Sequence, residues 1–234
     1  MRFELSVLLF ALGGTSASHL SEKPRITPVM PHFLQAAETV THEICSRAVD
    51  RLLRENIDFN VVLRDKTGDF IDTTFDYPHA IYWEDMRPSN PQDDESGKDL
   101  YWERISDIFD SDQYSMWGSN GIEFTDPNQG AIGDCWIIAA ASCVAQEPER
   151  IKKLFLIDHL NDAGVYAVQL YVMGIPVTVT VDEYLPFYYP DDDYMIYGRK
   201  SNDGALWMPI LEKAAAKLFG NYEMLSGGWM GPAI

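Results

Sequence analysis

Hydrophobic residues along the chain change their period from segment to segment, and the period predicts the element. Between Ala36 and Asn56, Val40, Ile44, Val49, Leu52 and Leu53 recur at helical spacing, behind a linker punctuated by Pro24, Pro28 and Pro31. An amphipathic helix is expected there. The run from Ile137 to Ala145 is almost wholly apolar and reads as a buried helix. Further on, Tyr166, Val168, Leu170 and Val172 alternate, Met173-Gly174 makes a turn, and Ile175, Val177, Val179 and Val181 alternate against Pro176, Thr178, Thr180 and Asp182. That pattern predicts an antiparallel hairpin. Leu206 to Phe219 returns to helical spacing and is closed by Gly220, with Asp191-Asp192-Asp193 as a loop before it.

From Phe59 to Asp126 the pattern dissolves into Asp, Glu, Trp, Tyr and Pro. Between Glu84 and Asp112 there are ten acids against three bases. Such a stretch reads as a solvated, loop-rich layer tied down by Trp83, Trp102 and Trp117. It contains no Asp-x-Asp-x-Asp-Gly loop with a closing Glu, so an EF-hand is excluded. The whole chain of 234 residues carries a formal net charge of −18, which makes nucleic acid a poor partner, while 46% apolar residues supply a packed core. No window approaches eighteen uninterrupted apolar residues, so no integral membrane span is expected. Leu5 to Leu12 followed by Gly13-Gly14-Thr15-Ser16-Ala17-Ser18 reads either as a signal peptide or as a leader outside the fold. The resulting division is residues 1–21 as leader, 22–58 as helical extension, and 59–234 as the main domain.

Three cysteines, Cys45, Cys135 and Cys143, are too scattered for a disulfide framework or a zinc motif. One of them stands out by its surroundings. The segment Gln129-Gly-Ala-Ile-Gly-Asp-Cys135-Trp136 leads straight into the apolar helix. A helix N-terminus carries about half a positive charge and unpaired N–H groups, which favour a thiolate over a thiol. Cys135 therefore sits where a nucleophile is needed. Gln129, held across a turn that Gly130 and Gly133 make tight, can point its amide beside the Cys135 backbone N–H, and two converging donors would form an oxyanion hole.

At these residues the chain resembles the calpain family of cysteine endopeptidases, within the papain-like group. A second block agrees in order and spacing: Val181-Asp182, Leu185-Pro186, Trp207, Leu211-Glu212-Lys213-Ala214, Ala216-Lys217, Gly220-Asn221-Tyr222-Glu223 and Leu225-Ser226-Gly227-Gly228. The resemblance implies an α+β fold, the Cys-bearing half of a papain-like (calpain-type) core with an N-terminal helical extension. It implies Cys135 as nucleophile, Gln129 as oxyanion donor, Gly228 as a backbone contact for a peptide substrate, and Trp136 as a wall of the cleft. It also implies a calcium site built from Asp126 with carbonyls near Ser119 and Gly121. Two departures make that site weak: a family Glu is replaced by Ala205 and a family Arg by Phe124, with Asp203 as a compensating acid. The family's His and Asn lie well downstream of Gly228, and the sequence runs to Ile234. His159, the one histidine after Cys135, reads as a solvated turn residue. A cysteine endopeptidase acting on protein or peptide is the expected function, with Met1–Ile234 alone expected inactive. A non-catalytic calpain-like protein-binding module is the alternative. The resemblance implies a cytoplasmic protein, and a signal peptide would make it a secreted one.

Overall fold

The computed structural model describes residue 50 and residues 57–65, 68–76, 80–81, 101–172, 174–188 and 193–228. The leader, and apart from Asp50 the expected helix over Ala36–Asn56, fall outside these residues, as do Cys45, Trp83, Met173, Asp191 and Asp192. Helix and strand are both present and mostly segregated along the chain, an α+β arrangement. Among the described residues no helix is long and apolar enough to cross a membrane.

Helix α1 (Phe59–Asp65) begins behind Asp58, whose Oδ1 accepts the Asn60 N–H at 2.9 Å. Strand β1 (Tyr101–Arg104) runs directly into the single-turn α2 (Ile105–Ile108). After a long loop come α3 (Cys135–Ala145) and α4 (Pro148–Lys152), the latter opened by a proline that donates no N–H where none is needed. The hairpin β2 (Val165–Val172) and β3 (Ile175–Asp182) follows in the register Val165↔Asp182 to Val172↔Ile175. Strand β4 (Tyr184–Phe187) then turns away to pair antiparallel with β1, and α5 (Trp207–Phe219) ends at Gly220, whose φ of 121° suits a helix stop.

Helix α5 lies over the hairpin and organises the main core with Trp207, Ile210, Leu211, Ala214 and Leu218. A smaller core of Ile105, Phe109, Leu185, Phe187, Met195 and Leu206 sits under the β1–β4 pair. The polar positions in the second half of β3 are not solvated. Thr180 and Asp182 are buried, whereas Ile175 at the turn is 57% exposed. Thr180 Oγ1 donates to the Ile57 carbonyl at 2.7 Å, and Asp182 receives Lys213 of α5 together with the Asp72 N–H at 2.6 Å. One turn along α5, Lys217 Nζ reaches Asp72 Oδ2 at 2.5 Å and the Thr180 carbonyl at 2.8 Å. Both faces of β3 therefore make core contacts, one apolar and one through paired charges, which fixes how α5 sits on the hairpin.

Candidate active site

The loop that leads into α3 is held from two sides. The Arg199 N–H donates to the Asn128 carbonyl at 3.0 Å and the Ala131 N–H to the Ile196 carbonyl at 2.8 Å. Gly130 lies so close to the Ile196 and Tyr197 carbonyls that a Cβ there would overlap them. On the other side, the Gly227 N–H donates to the Gly133 carbonyl at 2.9 Å. Helical bonding starts with the Ile137 N–H on the Asp134 carbonyl, 2.8 Å, so Cys135 stands in the first turn, where backbone N–H groups have no partner within the helix. Its thiol is exposed, as is that of Cys143 two turns later.

Trp136 and Gly228, far apart in sequence, are brought together. The indole is buried, donates Nε1–H to the Leu225 carbonyl at 2.8 Å, and meets Phe219 edge-on at 5.8 Å. A Cβ on Gly228 would stand 2.5 Å from the ring, so only glycine leaves that backbone flush against the indole. Gln129 is exposed and donates Nε2–H to the Ile132 carbonyl at 2.8 Å, bracing its own turn. The amide carries a second N–H, and the buried Asp134 carboxyl lies within reach of this side chain.

Sequence reasoning missed the acids behind this loop. Asp134, immediately before Cys135, is fully buried, and Glu212 of α5 is buried beside it within hydrogen-bonding reach. Burial is the main cause that pushes both carboxyls above the usual range; for Glu212, much the more raised, the neighbouring Asp134 adds to it. The available signal was an acid among the apolar positions of the helix predicted over 206–219.

Of the candidate metal ligands, the one carboxylate, Asp126, is engaged by protein donors. Asp126 is 4% exposed, and its Oδ2 accepts both the Trp207 Nε1–H and the Glu123 N–H at 2.8 Å. Burial is the largest influence and raises it, opposed by those hydrogen bonds and helped by the nearby charge of Asp203. The Ser119 N–H donates to the Asp203 carbonyl at 3.1 Å and the Asn120 N–H to its carboxylate at 2.9 Å. Burial pushes Asp203 up, but the hydrogen bonds from Ser201 and Asn120 outweigh it and hold the carboxyl below its ordinary range. Ala205 is buried and Phe124 is 58% exposed. Among the described residues no three His, Cys, Asp or Glu side chains cluster to hold a metal. Calcium takes six to eight oxygens, whereas Asp126 and the carbonyls near Ser119 and Gly121 offer four, one of them already accepting two hydrogen bonds, so these residues fit it poorly. His159 is exposed, with Nδ1 3.0 Å from Asp158 Oδ1.

The sequence is similar to those of known proteins. The sequence profile of the calpain family cysteine proteases matches residues 70–234. The calpain-type cysteine protease DEK1 of Zea mays is 38% identical over 136 residues, which cover 57% of this chain and 6% of that protein. The calpain-2 catalytic subunit of Bos taurus is 34% identical over 132 residues, 55% of this chain and 18% of the subunit. Calpain-8 of Homo sapiens is 30% identical over 154 residues, 64% of this chain and 20% of its own length. The chain thus spans a fifth or less of each of these relatives.

Proposed function

Because the chain belongs to the calpain family of cysteine proteases, we propose that it carries the nucleophile half of a papain-like cysteine endopeptidase site, with residues 59–234 as that half and 22–58 as a helical extension. The observation that carries this reading is the exposed Cys135 thiol at the start of α3, beside the wall formed by Trp136 and Gly228. The Cys135 sulfur, its proton passed to an imidazole expected from the other half of the site, attacks the carbonyl carbon of a peptide bond. The carbonyl oxygen, now an oxyanion, is held by the Cys135 backbone N–H and an amide N–H of Gln129. Collapse breaks the C–N bond and leaves a thioester, the amine departs with a proton from an imidazole, and water then hydrolyses the thioester. Gly228 offers backbone groups to an extended peptide without a side chain in the way. The substrate is a protein or peptide.

The test is a ranking of thiols. Iodoacetamide labelling of the folded chain at neutral pH, read by mass spectrometry, is expected to modify Cys135 ahead of Cys45 and of Cys143, although Cys143 is exposed too. Faster labelling at Cys143 would remove the special character assigned to the helix start.

Asp126, Ser119 and Gly121 make at most a weak calcium site, since the donors around Asp126 and Asp203 already satisfy much of their charge. Calorimetric titration with calcium chloride is expected to show only weak binding, about 10⁻⁴ M or weaker. A single submicromolar site abolished by Asp126→Ala would reverse this reading.

A further inference from the structure

We infer that Asp134 and Glu212 share one proton and that this acid–carboxylate bridge is a positioning device for the Gln129–Cys135 loop. The inference deepens the reading of Cys135 as a nucleophile and rests on it for its functional meaning. Asp134 is 0% exposed and Glu212 1%. The Gly198 N–H donates to Glu212 Oε2 at 2.6 Å. Among the described residues, the oxygens of Asp134 and Oε1 of Glu212 have no hydrogen bond of good geometry from an N–H or O–H group, the Gln129 amide approaching Asp134 only loosely. What faces Asp134 is the other carboxyl.

Two ionised carboxylates in contact, out of water and with one N–H between them, would repel strongly. A single proton turns that repulsion into a charge-assisted hydrogen bond. Among the described residues the nearby lysines are engaged elsewhere and do not replace it. On α5 itself, Lys213 is engaged by Asp182 and the Tyr184 carbonyl, and Lys217 by Asp72 and the Thr180 carbonyl. The other groups facing the pair are neutral or acidic: the Gln129 amide from the loop, the stacked phenols of Tyr197 and Tyr222, and Asp182 behind them. The bridge joins the residue next to Cys135 to the middle of α5, while the Gly198 N–H ties Glu212 to the segment that also holds Ala131. Loop, helix and 196–199 segment are thereby locked around one hydrogen.

Infrared difference spectroscopy on Met1–Ile234 tests the proton directly. At pH 7 the folded chain is expected to show a protonated carboxyl C=O stretch that shifts in D₂O and is missing from Glu212→Gln. Positioning is tested by rescue. Gln supplies a permanent N–H to Asp134, so Glu212→Gln should label at Cys135 within about twofold of wild type, whereas Glu212→Leu, which strands the Asp134 carboxylate, should label about tenfold more slowly or worse while circular dichroism reports an intact fold. The pH dependence follows in sign. A carboxyl whose folded value lies above its unfolded one binds more protons when folded. Its contribution is therefore complete below the ordinary carboxylate range and is lost as pH rises through the raised value. The melting temperature of wild type should accordingly fall relative to Glu212→Gln as pH rises above that range. Absence of the carboxyl band, its persistence in Glu212→Gln, or equal labelling of the Gln and Leu variants would overturn the bridge. A band that behaves as expected in a chain whose Cys135 labels no faster than Cys143 would leave the bridge standing and remove the reading of Cys135 as a nucleophile alone.

Discussion

Serine in place of Cys135, in any form of this protein that cleaves peptides, is expected to lower turnover by about a millionfold, because groups that act as a unit lose nearly all their effect when one is removed. The serine hydroxyl keeps the position at the start of α3 but remains protonated where a thiol ionises, and imidazole and oxyanion donors geared to sulfur have nothing to assist. Cys143→Ser, on the same helix and equally free, is expected to leave turnover within about twofold, since it is an exposed position two turns away from Cys135. The polypeptide Met1–Ile234 by itself should hydrolyse a fluorogenic peptide no faster than Cys135→Ser does. Its one histidine after the nucleophile is exposed and bonded to Asp158. Measurable turnover by this polypeptide that disappears in His159→Ala would give that imidazole the role denied to it here.

The second large effect concerns folding. Lys213→Ala should destabilise the chain by about 3–5 kcal/mol, the cost of leaving a buried charge without its partner. The Lys213 side chain is 1% exposed and its ammonium holds Asp182, 4% exposed, together with the Tyr184 carbonyl. It also lies 4.9 Å from the centre of the Trp102 ring, a favourable place for a cation. Lys217→Ala should cost a similar amount by stranding Asp72, which also accepts from Thr74. The two losses should not add, because the Asp72 N–H donates to Asp182 and joins the pairs into one network. Urea denaturation of the single and double variants measures both. A loss under about 1 kcal/mol for Lys213→Ala would mean that Asp182 finds other company when the lysine is gone.

The parts legible in the sequence are those in which neighbours along the chain decide the structure. The β2–β3 alternation, the apolar run behind Cys135 and the helix closed by Gly220 are local patterns, and they appear where they were expected. The pairing of β1 with β4 was hidden. It joins Tyr101 to Phe187 across the molecule, and four residues of Tyr-Trp-Glu-Arg carry no period that names a partner. Nothing in the alternation of β3 names Ile57 and α5 as the groups that cover Thr180 and Asp182. Asp134 in its loop and Glu212 within the predicted helix carry no mark of each other in the sequence; only their meeting makes either unusual. A buried charge takes its meaning from its partner, and single-sequence periodicity does not contain that information.

The loop before Cys135 also has a history in time. Every long-range group that holds it comes later in the chain: the carbonyls of Ile196 and Tyr197, the Arg199 and Gly227 N–H groups, Glu212, and the Leu225 carbonyl on Trp136. Since a chain is made from its amino end, a ribosome that has just added Trp136 must add the residues up to Gly228 before the last of these exists, which at ordinary elongation speeds takes about 5–20 s. During that interval the thiol has no finished loop or indole wall around it. A nascent cysteine nucleophile of this design therefore stays unassembled beside the other unfolded chains of its polysome, and it is completed only after the segment ending at Gly228 leaves the exit tunnel.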